Sequence, residues 1–359
     1  MIQAQEMQST RERHKEDIGP MREPPVDLAD DLLGAALRTH YALAVRTLTF
    51  LPLGHDSSAW VYRVQADDEM SYFLKVRTSM ANAPSLLVPR YLHEHGVTQV
   101  VAPLPTVTGA LWAEVAGYAL ILYPFNAGIT GMAQGMAPEQ WTAYGAILRQ
   151  IHDMAVAPQL AHSMRRETFV PAGAATVREV DGHIGQRSFD DPITQTLAAL
   201  WRERRDLIHT LVSRAEDLGR QVAQKALPFV LCHADIHTDN VLLAADGQVW
   251  IVDWDETLLA PKERDLMFVV GGGISRELVG LREEELFLRG YGATPLDSLV
   301  LSYYRYAWAV SDIGEYGAQI VVRPDLGEVS RQAALKIFLS LFKPGEIVAL
   351  ALASNEGAD

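Results

Sequence analysis

Residues 231–243, LCHADIHTDNVLL, set two histidines, two aspartates and an asparagine between two apolar runs. Three chemistries draw on these residue types. His233 and His237 lie four apart, as paired zinc ligands on a helix do, but the segment follows a strand pattern and lacks the glutamate of an H-E-x-x-H signature. A Ser-His-Asp hydrolase needs a serine on a G-x-S-x-G elbow, and the sequence contains none. Phosphoryl transfer needs a carboxylate to orient and deprotonate an acceptor hydroxyl, plus oxygen ligands for magnesium ions that bridge the phosphates. Asp235 supplies the first, and Asn240 with Asp253, in the following VWIVDWDE, supplies the second.

As a pattern the region reads H-x-D-x-x-x-x-N, a strand pair with the turn 245–247, and then I-V-D. The spacing and the strand setting are those of a kinase catalytic loop and its metal-binding aspartate. In that setting His233 reads as a residue whose ring bonds the loop backbone, and Asp239 as one that shapes or caps the loop. A phosphate-binding lysine is required on the third strand of the preceding sheet, and YFLKV puts Lys75 there; the bland alternative is a surface lysine on an edge strand. The first hairpin holds Gly54 alone where a glycine-rich loop is expected, so Ser57 and Ser58 are either phosphate-binding hydroxyls and N–H groups or plain turn residues. One requirement is unmet. A kinase lysine pairs with a glutamate on the next helix, yet no acidic residue lies between Lys75 and Glu94, and Pro84 and Pro89 interrupt that segment. Lys75 is then positioned by phosphate and another group, or by reorganisation on nucleotide binding, or the chain binds nucleotide without turnover.

The elements that must carry these residues follow from periodicity. Residues 1–26 are polar and proline-containing with no apolar period, and read as a poorly ordered tail. Helical spacing begins with Leu28, Leu32, Leu33, Ala36 and Leu37 and ends near His40. The segments VRTLTFLPL, AWVYRVQA, SYFLKVR, ALWAEV and YALILYPF read as five strands, with a helix over 84–95 inserted between the third and fourth. Beyond residue 138 long helical patterns dominate, and the only strands expected there are PFVLCH, VLLA and QVWIVDWDE, forming one small sheet. The expected organisation is a nucleotide-binding lobe over 27–125 and a catalytic, substrate-binding lobe over 126–359.

These motifs carry a family resemblance. LCHADIHTDNVLL, VWIVDWDE and APKERDLMFV resemble the catalytic loop, metal-binding aspartate and E-R-D segment of the aminoglycoside phosphotransferase family; YFLKV, LILYPF and LRQIHDM resemble its strand lysine, hinge and long helix. Within it, IVDWDETLLAPKERDLMFVVGGG and YYRYAWAVSDIGEYG are most similar to the spectinomycin phosphotransferase branch, over residues 27 to the C-terminus. The resemblance implies an α+β, protein-kinase-like bilobal fold and an ATP- and Mg2+-dependent O-phosphotransferase. It implies Asp235 as base, Asn240 and Asp253 as magnesium ligands, Lys75 on the phosphates, and the backbone of Tyr123, Phe125 and Asn126 against adenine. Asp255 is expected to tune the magnesium site or the acceptor pocket.

The acceptor pocket is expected on SYYRYAWAVSDIGEYG, where Tyr304, Trp308, Asp312 and Glu315 share a helix face. Aromatic surface with carboxylates suits a hydroxylated cation such as an aminocyclitol, by cation–π contact and charge-assisted hydrogen bonds. The competing reading is that the aromatics are core and the acids solvated, and the competing acceptors are choline, homoserine or a thiosugar. A net charge of −14 argues against a nucleic-acid polymer as partner. The single cysteine, Cys232, excludes a disulfide framework and reads as a buried small group. No apolar run approaches the roughly 20 residues of a membrane span. With no signal-peptide pattern at the N-terminus, the expectation is a cytoplasmic monomer or weak dimer with no membrane partner.

Overall fold

A computed structural model describes residues 28–51, 59–78, 82–275, 278–323 and 326–354. The expected tail over 1–26, the turn residues Gly54 and Asp56, and Ser57 and Ser58 lie outside them. The chain divides into two compact units, one holding the described residues up to Met136 with Met154–Met164 and Thr238–Thr257, the other the remainder.

The first unit is built on a five-stranded antiparallel sheet in the order β1-β2-β3-β5-β4, formed by β1 Val45–Leu51, β2 Ala59–Ala66, β3 Ser71–Arg77, β4 Ala113–Val115 and β5 Tyr118–Pro124. Alternation along the strands decides the layers. Tyr62, Val64, Leu74, Val76, Leu120 and Leu122 project to one face and bury Leu33, Ala36 and Leu37 of α1 (Asp30–Tyr41). Ile121 projects to the other face with Leu86 of α2 (Pro84–Glu94) and Leu111. A second, three-stranded sheet follows the order β6-β8-β9, from Ile129–Thr130, Val241–Leu243 and Val249–Ile251, with the short α3 Gly131–Gln134 beside it. Gly128 is required where the chain meets β8, because a Cβ there would stand 2.9 Å from the Leu243 carbonyl oxygen.

The second unit is mainly helical. It includes α4 Pro138–Asp153, α6 Gly173–Gln186, α7 Pro192–Val222, the one-turn α8 Glu263–Leu266, α9 Leu281–Tyr291, α10 Ser298–Val321, α11 Glu328–Ser340 and α12 Ile347–Ala353; α5 Pro158–Ser163 belongs to the first unit. The two long helices start where side chains satisfy their free N–H groups: Asp191 accepts from Thr194 N, and Asp297 from Leu299 N and Val300 N. Here the sequence expectation needs correcting. The short strands do not form one sheet, because β7 (Val230–Cys232) pairs with β10 (Leu258–Ala260) in the second unit, while β8 and β9 pair with β6 in the first. Strands of three residues carry too little alternation to reveal their partners, and β6 and β10 gave no signal at all. Among the described residues no helix is long and apolar enough to cross a membrane.

Candidate active site

In the first unit, β3 is a central strand paired on both sides, with Lys75 opposite Val61 on β2 and Ile121 on β5. That removes the edge-strand reading of the lysine. Its neighbours Leu74 and Val76 are fully buried on the far face, so Lys75 emerges on the near face, where its side chain is only 13 % exposed. Nζ meets two carboxylates there, Asp255 Oδ2 at 2.8 Å and Asp253 Oδ1 at 3.2 Å. Burial alone would lower the ammonium pKa; the two carboxylates more than reverse that and hold it above the ordinary lysine range. Arg77, two residues along the same face, also reaches Asp255 Oδ2 at 2.7 Å.

The metal-ligand candidates sit at the two ends of a hairpin. Asn240 closes the 3-10 turn Thr238–Asn240 and leads into β8; Asp253 lies two residues beyond β9, and Val252 N donates to the Asn240 carbonyl at 3.1 Å. The turn between the strands is closed by Gly247, with φ 87°. Asp253 is itself in the left-handed region, φ 62°, a conformation that costs a non-glycine residue about 1 kcal/mol and clusters at functional sites. Asp239 takes the Thr130 hydroxyl at 2.7 Å, and Thr130 in turn caps α3 by accepting from Ala133 N, so Asp239 shapes the loop as expected.

In the second unit the chain leaves β7 through His233, Ala234 and Asp235. Asp265, from α8 and fully buried, accepts the backbone N–H of His233 at 2.9 Å and of Ala234 at 2.6 Å, and it accepts from His152 at 3.0 Å. The other ring nitrogen of His152 meets the Tyr291 hydroxyl at 2.8 Å. This clamp holds Ala234 at φ 70° and turns the next residue, Asp235, out of the strand direction. The His233 ring accepts from Asp235 N at 3.3 Å, the loop-bracing role the sequence suggested. His237 Nε2 lies 3.3 Å from Asp235 Oδ1. Burial would raise the Asp235 carboxyl, but His237, His233 and Arg264 outweigh it and keep it below the usual carboxylate range. Cys232 is buried with its thiol against the Ala260 and Pro261 carbonyls, and burial pushes that thiol far up, consistent with an inert packing role.

On α10, Trp308 packs edge-on against Phe268 with centroids 4.9 Å apart, and the Arg264 guanidinium lies 5.1 Å over the Trp308 ring. Tyr304 is a correction. At 2 % exposure, packed against Tyr303, it presents no face on which a ligand ring could stack, so it belongs to the core. Asp312 remains half-buried and Glu315 exposed. Burial, and then the charges of Asp235 and Glu315, push the Asp312 carboxyl up to about 7, against the hydrogen bond from Trp308 and the nearby His237. A folded pKa above the unfolded one means that this group's stabilising effect is complete below about pH 4 and is lost as pH rises through about 7. Asp312→Asn is therefore expected to stabilise the protein by on the order of 2 kcal/mol at pH 8 and by nothing measurable at pH 4. Melting curves at the two pH values check this, and equal shifts at both would contradict it.

Of the residues that the sequence put forward, Lys75, Asn240 and Asp253 lie in the first unit and Asp235 in the second. Tyr123 lies in β5 beside the Lys75 cluster, edge-on to Phe73, with its hydroxyl pKa raised by burial; Phe125 N donates to Ser71 O at 3.3 Å, and Asn126 follows half-buried. Four contributors were missed: Arg77, Asn82, Arg264 and the clamp role of Asp265. Arg77 had a signal, the spacing of two from Lys75 on one strand. Asn82, whose side-chain amide donates to the Asp255 carbonyl at 2.7 Å, had none.

A family model described as the phosphotransferase enzyme family, APH, matches residues 49–299. The crystal structure of spectinomycin phosphotransferase APH(9)-Ia in complex with ADP and spectinomycin is similar at 32 % identity, over 91 % of this chain and 98 % of its own, with a TM-score of 0.82. The AMP-bound complex of that enzyme is similar at 32 % identity, over 90 % and 98 %, with a TM-score of 0.78. An aminoglycoside phosphotransferase from Alicyclobacillus acidocaldarius shares the fold at 14 % identity, over 94 % and 98 %, with a TM-score of 0.56. The α+β, protein-kinase-like fold expected from the sequence is the fold of this chain.

Proposed function

This chain belongs to the APH phosphotransferase enzyme family, and from that premise we propose that it moves the γ-phosphoryl group of ATP to a hydroxyl of spectinomycin or a similar aminocyclitol, inactivating the antibiotic. The observation that carries the acceptor is the 32 % identity to spectinomycin phosphotransferase along 98 % of that enzyme's length. The residues support the same chemistry. Asp235, held anionic by its neighbours, orients the acceptor hydroxyl and takes its proton as the bond to phosphorus forms. Its low basicity fits a loose transition state, in which the proton leaves late and positioning matters more than base strength. Lys75 holds the nonbridging phosphate oxygens of the nucleotide.

The donors at Asn240 and Asp253 are an amide oxygen and a carboxylate, hard ligands of the kind magnesium takes, and Asp253 is 47 % exposed, open to an incoming ion. Bound there, the metal would neutralise charge on the β- and γ-phosphates. Asp312, Glu315 and the open edge of Trp308 form the surface on which a cationic aminocyclitol is expected to rest.

The test is a panel of acceptors, each with ATP and Mg2+, followed by ADP release and by mass spectrometry of the product. Spectinomycin is expected to gain one phosphate with kcat/KM at least about 100-fold above that for choline, homoserine or a thiosugar, the discrimination a site that pairs buried polar groups with its substrate achieves. Preference for one of those metabolites would reassign the acceptor.

A further inference from the structure

We propose that Asp255 is the positioning residue of Lys75, doing what the absent helix carboxylate would otherwise do. The inference rests on the phosphotransferase reading above and adds to it the group that aims the phosphate-binding lysine. Along α2 no acidic residue occurs before Glu94, and Glu94 is taken by Arg90 at 2.7 Å within the same helix. The carboxylates that do reach Lys75 come from 178 and 180 residues further along the chain.

The two are not equivalent. Asp253 belongs to the magnesium donor set, and a divalent cation competes with an ammonium for the same oxygens. Asp255 makes the shorter contact, 2.8 Å against 3.2 Å. Its own geometry is fixed from two sides. Arg77 bonds the same Oδ2 atom at 2.7 Å, and Asn82 bonds its backbone carbonyl at 2.7 Å. Lys75 and Arg77 share one face of a central strand, so a single carboxylate is held between two cations rooted two residues apart. The formal charges of Lys75, Arg77, Asp253 and Asp255 cancel; a divalent ion held by Asp253 would leave the cluster doubly positive, matched to a polyphosphate, with Asp255 still on Lys75.

The experiment compares wild type with Asp255→Asn and Asp255→Glu by three readouts. They are calorimetric Kd for ADP in EDTA, the rate at which an acyl-phosphate derivative of ADP acylates Lys75, located by peptide mass spectrometry, and the steady-state constants with spectinomycin. Freeing a long side chain to roam costs it the preorganised geometry, so Asp255→Asn is expected to weaken metal-free ADP binding and raise KM for ATP about tenfold. At saturating reagent, acylation of Lys75 is expected to slow by about tenfold, because its amine has lost the carboxylate that aims it. The Mg2+ concentration for half-maximal rate should rise, because Lys75 now turns to Asp253; KM for the acceptor should not move. Asp255→Glu, which keeps the charge, should recover binding to within about threefold of wild type.

ADP affinity and Lys75 reactivity unchanged in Asp255→Asn would overturn the proposal. So would equal impairment in Asp255→Glu, which would make the position a matter of packing, and so would a change confined to acceptor KM, which would return Asp255 to the acceptor pocket. At 27 % exposure the side chain is expected to tolerate replacement, and melting curves verify it. Should neither variant fold, Asn82→Ala removes the bond to the Asp255 backbone carbonyl and leaves both carboxylates in place, and metal-free ADP binding is expected to weaken by about threefold; unchanged affinity overturns the proposal. Because ADP binding and Lys75 acylation need no acceptor, failure of spectinomycin to be phosphorylated would strike the proposed function and leave this inference separately judged.

Discussion

Asp235→Asn is expected to lower kcat by about 10³-fold while leaving the affinity for ADP within about twofold. The substitution is nearly isosteric but removes the negative charge that aligns the acceptor hydroxyl and the lone pair that takes its proton. Folding should be largely spared, since the clamp that shapes this corner works through the backbone of His233 and Ala234 and through Asp265, none of which uses the Asp235 carboxylate. Nucleotide binding should be spared as well, because the groups proposed to hold the nucleotide are Lys75, Asn240 and Asp253, all of which the substitution leaves in place. Single-turnover assays with calorimetry on the same preparation separate the two effects. Turnover within about tenfold of wild type would remove Asp235 from the role of base.

Asp265→Ala is expected to do the opposite, striking stability first. The carboxylate is fully buried and gathers two backbone N–H groups and the His152 ring, which continues to Tyr291. Burial would raise its pKa, yet His152, His233 and the Ala234 N–H prevail and keep it ionised. Removing it takes the shared acceptor from two amide donors and from one nitrogen of the His152 ring in a dry interior, a loss of about 3–5 kcal/mol. The thermal midpoint should fall by on the order of 10 °C. Well below that midpoint kcat should still drop by about a hundredfold, since nothing then holds Ala234 in its left-handed conformation and Asp235 loses its aim. Circular dichroism melts and low-temperature kinetics measure both; a midpoint within about 2 °C of wild type would show the clamp to be dispensable.

The contrast between these residues parallels what could be read from the chain. Asp235, Asn240 and Asp253 were legible as candidates because the chemistry proposed for them depends on spacing along one loop and one hairpin, and local spacing survives folding unchanged. Strand β3 was legible for the same reason: alternation of Leu74 and Val76 against Lys75 states which residue faces away from the core. The long helices announced themselves by period, and their capping aspartates emerged with the structure. Asp265 was visible only as part of a motif, since nothing in E-R-D tells that its carboxylate will reach two amide groups more than 30 residues earlier. Tyr304 and Trp308 sit one turn apart on one helix face, and the sequence could not tell which is core and which is open. That depends on what packs against α10: Tyr304 is closed off beside Tyr303, and Trp308 keeps an edge beyond Phe268.

By itself, then, the sequence determined the family, the class of chemistry and the order of the elements, and it singled out the candidates for base, metal ligands and phosphate lysine. The tertiary structure alone decided which carboxylates hold that lysine, that the short strands belong to two separate sheets, and how the catalytic loop is clamped. The reason is physical: a strand period or loop spacing is written in neighbouring residues, whereas a charge pair between Lys75 and Asp255 exists only after 180 residues of intervening chain have folded to bring the two together.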